Sequence, residues 1–193
     1  MKRQLSGLIA MVLVFTVATS IFIYEWLHPN VNYPEAREGV LDARDWDFSQ
    51  QGIIPLRGEW EFYKDQLLTP QDFADQGADQ QTERRFLQVP GGWKGKVSDD
   101  GYGAGTYRLR LLVSDLGDYS LRAKKIRMSS HIYMDGQELG GTGQTALSAT
   151  GFVPSNFPFF GTVEVKDQTI EIIVQVASYN NVQGGLVQAP EFG

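Results

Sequence analysis

Residues 105–113 read Gly105-Thr106-Tyr107-Arg108-Leu109-Arg110-Leu111-Leu112-Val113, and within them Tyr107, Leu109 and Leu111 alternate with Arg108 and Arg110. A period of two sends the apolar set to one face and the guanidinium set to the other, the pattern of a half-buried antiparallel strand. Ile170, Ile172, Val174 and Val176 repeat it in the run Thr169–Val176. Further strands are expected at Gly58–Tyr63, Phe86–Val89, Tyr119–Arg122, Ile126–Met134 and Gly161–Val165, each bounded by turn residues. Asp135-Gly136, between Met134 and Glu138-Leu139, is a two-residue hairpin signal. Only Pro70–Gly77 and its surroundings suggest a short helix or an irregular loop. Short strands without a repeated strand-helix alternation predict an all-β fold, an antiparallel β-sandwich of jelly-roll type, with Trp60 and Tyr107 in its core.

The 193 residues are 42% hydrophobic and 21% charged, enough for one globular core. No cysteine is present, which excludes disulfides, cysteine zinc clusters and thiol nucleophiles, and His28 and His131 are too few for a histidine metal site. No cofactor is expected. The net charge is −6, and beyond residue 30 there are 15 basic against 22 acidic residues. That balance argues against nucleic acid, which needs a clustered positive face. The densest basic run, Arg122 to Arg127 with Lys124 and Lys125, reads as a solvated strand face.

From Gly7 to Tyr24 no residue is charged, with Lys2-Arg3 before the stretch and Glu25 after it. Eighteen helical residues span about 27 Å, close to the ~30 Å of a hydrocarbon core, and Tyr24 and Trp26 fall where an interfacial belt would lie. Residues 1–27 are therefore expected to be a membrane anchor through residues 7–24, favoured over a signal peptide cleaved near Ala18-Thr19-Ser20. With Lys2 and Arg3 held inside, residues 31–193 would lie on the extracytoplasmic side of the cell membrane. His28-Pro29-Asn30-Val31-Asn32-Tyr33-Pro34 opens a linker over 28–38, and the jelly-roll domain is expected over 39–193.

Four motifs carry the candidate chemistry. Val89-Pro90-Gly91-Gly92-Trp93, followed by Gly101-Tyr102-Gly103-Ala104-Gly105, holds a large aromatic at a loop, either as a sugar-stacking platform or as a plug for the end of the sandwich. Ser178-Tyr179-Asn180-Asn181-Val182-Gln183-Gly184-Gly185 combines amides, a ring and glycines that can read hydroxyl groups, residues that any tight loop also prefers. Ser129 to Gly140 carries His131 without a visible triad partner. Asp45-Trp46-Asp47-Phe48 and Glu59-Trp60-Glu61-Phe62 pair carboxylates with aromatics, but alternation sends Glu59 and Glu61 to solvent, without a glycosidase cleft. The binding site is accordingly expected at the loop end, from Trp93, Tyr102, Tyr179, Asn180 and Asn181, with Asp99 and Asp100 as hydroxyl acceptors. No catalytic residue is expected.

Gly58-Glu59-Trp60-Glu61-Phe62, Val89-Pro90-Gly91-Gly92-Trp93, Gly101-Tyr102-Gly103 with Thr106-Tyr107-Arg108-Leu109, Tyr133-Met134-Asp135-Gly136 and the Gln175–Gly185 loop together resemble galactose-binding-like jelly rolls, over about residues 39–188. Two branches of that family fit. One is the sugar-binding domain of β-galactosidases and β-glucuronidases. The other is the extracellular domain of bacterial seven-transmembrane receptors with diverse intracellular signalling modules, which the apolar leader favours. The second resemblance implies a sensor domain for a carbohydrate or related small molecule, serving a seven-helix membrane region and a kinase or cyclase that these 193 residues do not contain. The alternatives are a noncatalytic accessory domain of a glycoside hydrolase and a protein-interaction β-sandwich.

Overall fold

The computed structural model describes residues 2–27, 31–75 and 84–193. His28, Pro29 and Asn30 of the connector and Gln76-Gly77 of the expected short helix lie outside the described residues. The chain divides into two compact units, Met1–Asn32 and Tyr33–Gly193. The first is helix α1 (Lys2–Leu27), which contains the whole uncharged stretch from Gly7 to Tyr24. Counted over the described residues, no helix is long and apolar enough to cross a membrane.

The second unit runs β1 (Val40–Asp42), α2 (Phe48–Gln51), β2 (Ile54–Pro55), β3 (Gly58–Lys64), α3 (Pro70–Asp75), β4 (Arg84–Val89), β5 (Gly103–Leu112), β6 (Gly117–Ala123), β7 (Ser129–Met134), β8 (Gln137–Thr142), β9 (Phe159–Val165), β10 (Thr169–Ser178) and β11 (Glu191–Phe192). One sheet has the order β4-β3-β5-β10-β7-β8, with β1 added parallel to β5; the other has the order β2-β11-β6-β9. All other pairings are antiparallel. The alternating residues do what period two requires: Trp60, Phe62, Tyr107, Leu109, Leu111, Ile170, Ile172 and Val174 meet Leu121, Val163, Val165 and Phe192 of the smaller sheet in a single core. The chain is therefore a β-sandwich. Tyr107 is at the centre of the aromatic part, 4.8 Å from the Phe62 ring and 6.4 Å from that of Trp60. Asp135 and Gly136, both with positive φ (51° and 75°), close the β7–β8 hairpin as the left-handed turn that matches strand twist.

Three expectations change. The strand expected from Ile126 starts at Ser129, because the Met128 N–H turns to the Ala177 carbonyl (3.1 Å) and Arg127 bridges Gly185. The segment 33–38, expected as linker, belongs to the second unit. Ala36 is buried and exchanges backbone hydrogen bonds with Arg57 and Glu59 (2.7 and 2.8 Å), and a Cβ on Gly58 (φ 109°) would stand 2.2 Å from the Ala36 carbonyl oxygen.

The third change is Glu61, which is fully buried rather than solvated. Alternation does put it on the face opposite Trp60, but that face is covered. Helix α3, capped by Thr69 and Asp72, presses Phe73 onto Tyr63 (ring centroids 5.2 Å), with Leu68 and Ile173 completing a second small cluster. Glu61 accepts a 2.8 Å hydrogen bond from Tyr63 and faces Arg84, Arg108 and Arg110 at 3.3–3.5 Å. Arg108 in turn donates to Glu171 (2.7 Å) and lies over the Phe73 ring (4.4 Å). Burial, and then the bond to Glu61, hold the Tyr63 hydroxyl well above its ordinary pKa. The carboxylate is thus an internal tie of the sheet with no cleft in front of it.

Trp60 is wholly enclosed, so Trp60→Ala is expected to remove about 3–5 kcal/mol of stability. Urea unfolding at unchanged slope checks it, and an unshifted midpoint would contradict the assignment of this face to the core.

Candidate functional site

Three connections meet at one end of the sandwich: the loop after β4, the segment between β6 and β7, and the segment after β10. The first is pinned by Trp93. Its backbone N–H donates to the Gly184 carbonyl (3.0 Å), its indole Nε1 donates to Tyr107 Oη (2.7 Å), and its ring lies 5.8 Å from Phe62. Gly91 donates to Leu186 (2.8 Å), and Arg127 bridges Gly185. The paired glycines serve this contact. A Cβ on Gly184 would come 2.6 Å from the indole, and one on Gly185 (φ 103°) 2.9 Å, so only glycine lets the third connection lie flat on the ring.

Above this seam is a hollow of about 670 Å³, a size that suits a small ligand. Lys94 and Lys96 reach it from the turn that follows Trp93, and Lys125 and Arg127 from the segment before β7. Val182 and Val187 supply apolar wall, Gln183 and Gln188 supply amides, and Gly92 leaves its side open. Among the described residues no carboxylate lines it, and none of the four cations has an ion-pair partner. The nearby Glu191 is held by Arg122 and Lys124 instead. Arg127 Nε is buried and has no hydrogen-bond partner. A second hollow, of about 520 Å³, is lined by Glu35, Glu38, Glu59 and Arg37; Glu59 already accepts from the Glu38 backbone (3.3 Å).

None of the seven residues expected at the loop end lines the basic hollow. Trp93 is a correction to the platform reading: its ring is completely buried and hydrogen-bonded, so it has no face to offer a sugar and acts as the plug. Asp100 accepts from the Tyr102 N–H (3.0 Å), a bond that holds its carboxyl below the ordinary carboxylate value, and Ser98 Oγ donates to the Tyr102 carbonyl (2.7 Å). These side chains build their own loop. Asp99 and Asn180 are exposed. Tyr179 packs against Phe152 (5.5 Å), and Asn181 accepts from Gln183 N–H (2.9 Å) and from Ser178 Oγ (2.9 Å), shaping the third connection. The two loops do meet as expected, a Cβ on Gly101 falling 2.1 Å from the Val182 carbonyl oxygen. His131 pairs with Glu138 across the hairpin (2.9 Å). Asp47 caps α2, accepting from Ser49 and Gln50, and Trp46 donates to the Gly52 carbonyl (2.8 Å).

The cations were missed by reading the Arg122–Arg127 run as a solvated face. Arg122 and Lys124 do point outward, whereas Lys125 and Arg127 turn into the hollow. The available signal was Lys94-Gly95-Lys96 directly after Trp93, since a glycine with φ 72° between two lysines folds both back beside the loop.

No family model matches the chain, and no curated protein matches it. Solved structures do. A Ruminococcus gnavus β-glucuronidase superimposes with a TM-score of 0.52 at 15% identity, over 72% of this chain and 27% of that one. The same organism's β-glucuronidase in complex with D-glucuronic acid gives 0.51 at 14%, over 72% and 29%. An uncultured Clostridium sp. β-glucuronidase gives 0.50 at 15%, over 72% and 28%. The chain spans little more than a quarter of the length of these three enzymes, and the likeness is one of fold, the β-sandwich.

Replacing Trp93 separates its bond from its packing. Trp93→Phe takes the indole donor from Tyr107 Oη in a buried site and is expected to cost about 1–3 kcal/mol, with Trp93→Ala costing more. Thermal unfolding of both variants checks this; an unchanged melting temperature in Trp93→Ala would contradict the plug.

Proposed function

We propose that the chain is a noncatalytic ligand-binding domain of galactose-binding-like jelly-roll type, tethered outside the cytoplasmic membrane, that recognises a carbohydrate or related small molecule at the basic hollow. The observation that carries the reading is the convergence of four unpartnered cations, two glutamine amides and two valines on glycine-rich connections at the end of a rigid sandwich. Loops on a fixed scaffold are where binding residues concentrate, and amides beside aliphatic wall suit the hydroxyls and C–H faces of a sugar. The titratable clusters found elsewhere are a buried tie around Glu61 and a surface pair of His131 with Glu138 across a hairpin, neither of them in the hollow, which favours binding over catalysis.

The tether rests on α1. Its described apolar side chains, among them Val14, Phe15, Phe22 and Trp26, are exposed on every side of the helix. A helix apolar all round suits lipid better than water. Together with the leader, the sandwich supports a sensor of a membrane signalling protein. A second reading, an accessory domain of a glycoside hydrolase, is favoured by the β-glucuronidases among the fold neighbours. The coding sequence adjoining this chain separates the two: membrane helices for the sensor, a catalytic barrel for the hydrolase.

The binding reading is tested with the full chain in nonionic detergent on a saccharide array. Retention of a defined sugar class, lost in Gln183→Ala/Gln188→Ala at unchanged melting temperature, is the expected result. Retention of no saccharide at all would contradict it. For the tether, alkaline phosphatase fused after Gly193 is expected to be active; an inactive fusion beside an active cytosolic reporter would overturn the orientation.

A further inference from the structure

We infer that the hollow selects an acidic sugar, holding the ligand's carboxylate between Arg127 and the lysines while the two amides and the valines hold its ring. This rests on the binding reading above and narrows it to a ligand class.

Among its described lining residues the hollow has four cations and no carboxylate. A neutral sugar presents hydroxyls that must both donate and accept, and carbohydrate sites usually answer with carboxylates or amide oxygens. Here the four charged side chains are donors only, and the side-chain acceptors among the described lining residues are the amides of the two glutamines. Arg and Lys offer eight N–H donors between one guanidinium and one ammonium alone, and among the described residues none of these four cations has an ion-pair partner. The complementary group is therefore an anion.

Charge placement makes the same point. The chain carries an excess of acid, and its other clustered cations each have an acid partner: Arg84, Arg108 and Arg110 at Glu61, Arg122 and Lys124 at Glu191. Four like charges around one hollow repel one another, by about 1 kcal/mol per pair at 4 Å in water and more where water is thinned out. A bound anion reverses the sign of that interaction. Arg127 adds geometry, because it lines the hollow and a guanidinium edge suits the two oxygens of a carboxylate.

Size and lining select a sugar acid over a bare anion. An inorganic phosphate would leave Val182, Val187 and both amides unused in about 670 Å³. A nucleic acid needs a continuous basic track, and the cations here converge on one hollow of an acidic chain.

The test uses the full chain in nonionic detergent and matched disaccharide pairs differing only at C6: galacturonate against galactose, glucuronate against glucose and mannuronate against mannose, with inorganic phosphate alongside. In one pair or more, calorimetry is expected to show the acid binding about tenfold tighter or better than its neutral twin, with the advantage shrinking between low and high salt. Lys94→Gln/Lys96→Gln and Arg127→Gln are each expected to remove most of that advantage, while the charge-matched pair Arg85→Gln/Lys166→Gln, far along the sheets, leaves it intact. Since Lys94 and Lys96 are exposed, their double variant folds even if Arg127→Gln does not. Equal affinity for acid and neutral sugars would overturn the acid inference and leave the binding reading standing. Phosphate binding as tightly as the best acid sugar, with the same lysine dependence, would also overturn it and make the hollow a general anion site. Binding of no acidic saccharide would overturn it as well, and the saccharide array then decides whether the broader reading falls too.

Discussion

The hydrogen bond from the Trp93 indole to Tyr107 Oη is the constraint on which the loop end of the sandwich depends. Tyr107 sits in the central strand β5, paired to Phe62 on one side and Val174 on the other, and wedged between the rings of Trp60 and Phe62. Burial holds its hydroxyl well above the ordinary tyrosine value, opposed by the bond from Trp93 and one from the backbone at Leu186, so it stays protonated. A single buried oxygen thus gathers the loop after β4 and the segment after β10 onto the sheet. Removing the indole would leave that oxygen underbonded in apolar surroundings and unseat both connections together. Lys94 and Lys96 stand in the turn after Trp93, and Gly184 and Gly185, between the lining residues Gln183 and Val187, lie against its ring, so the shape of the hollow is inherited from the core.

The domain separates its cations into two kinds. On the outer face of the larger sheet, three arginines surround the buried Glu61 and a lid of Phe73 and Leu68 keeps water thin, so that charge there holds strands together. At the loop end, cations face an open hollow without an acid. The first arrangement is closed and structural; the second leaves its cations without an acid among the described residues. This contrast, rather than the overall negative charge, is what the binding proposal rests on.

Much of the sandwich was legible because a period of two is a local signal. Tyr107, Leu109 and Leu111 against Arg108 and Arg110 fixed both the strand and its faces, and Asp135-Gly136 fixed a hairpin. Glu61 shows where alternation stops: it specifies the opposite face but not whether a six-residue helix covers it. Ala36 is too small and too isolated to announce that residues 33–38 join the fold, a fact decided by its fit against Gly58. At the site, the two loops were legible from their glycines, yet the role of Trp93 was set by a tyrosine fourteen positions later and the hollow by lysines and an arginine some thirty residues apart in sequence. Such convergence is a property of the folded sheet order and leaves no periodic trace.

A ligand held by the three connections meeting over Trp93, and not by a sheet face, leaves a footprint confined to those connections. Hydrogen exchange of the full chain, with and without a saturating acidic disaccharide, tests it most directly. The account predicts added protection confined to residues 91–98, 124–128 and 182–188, with β3, β5 and β10 unchanged. Protection over the outer face around Glu61 and α3, or none at the three connections while ligand is bound, would contradict it.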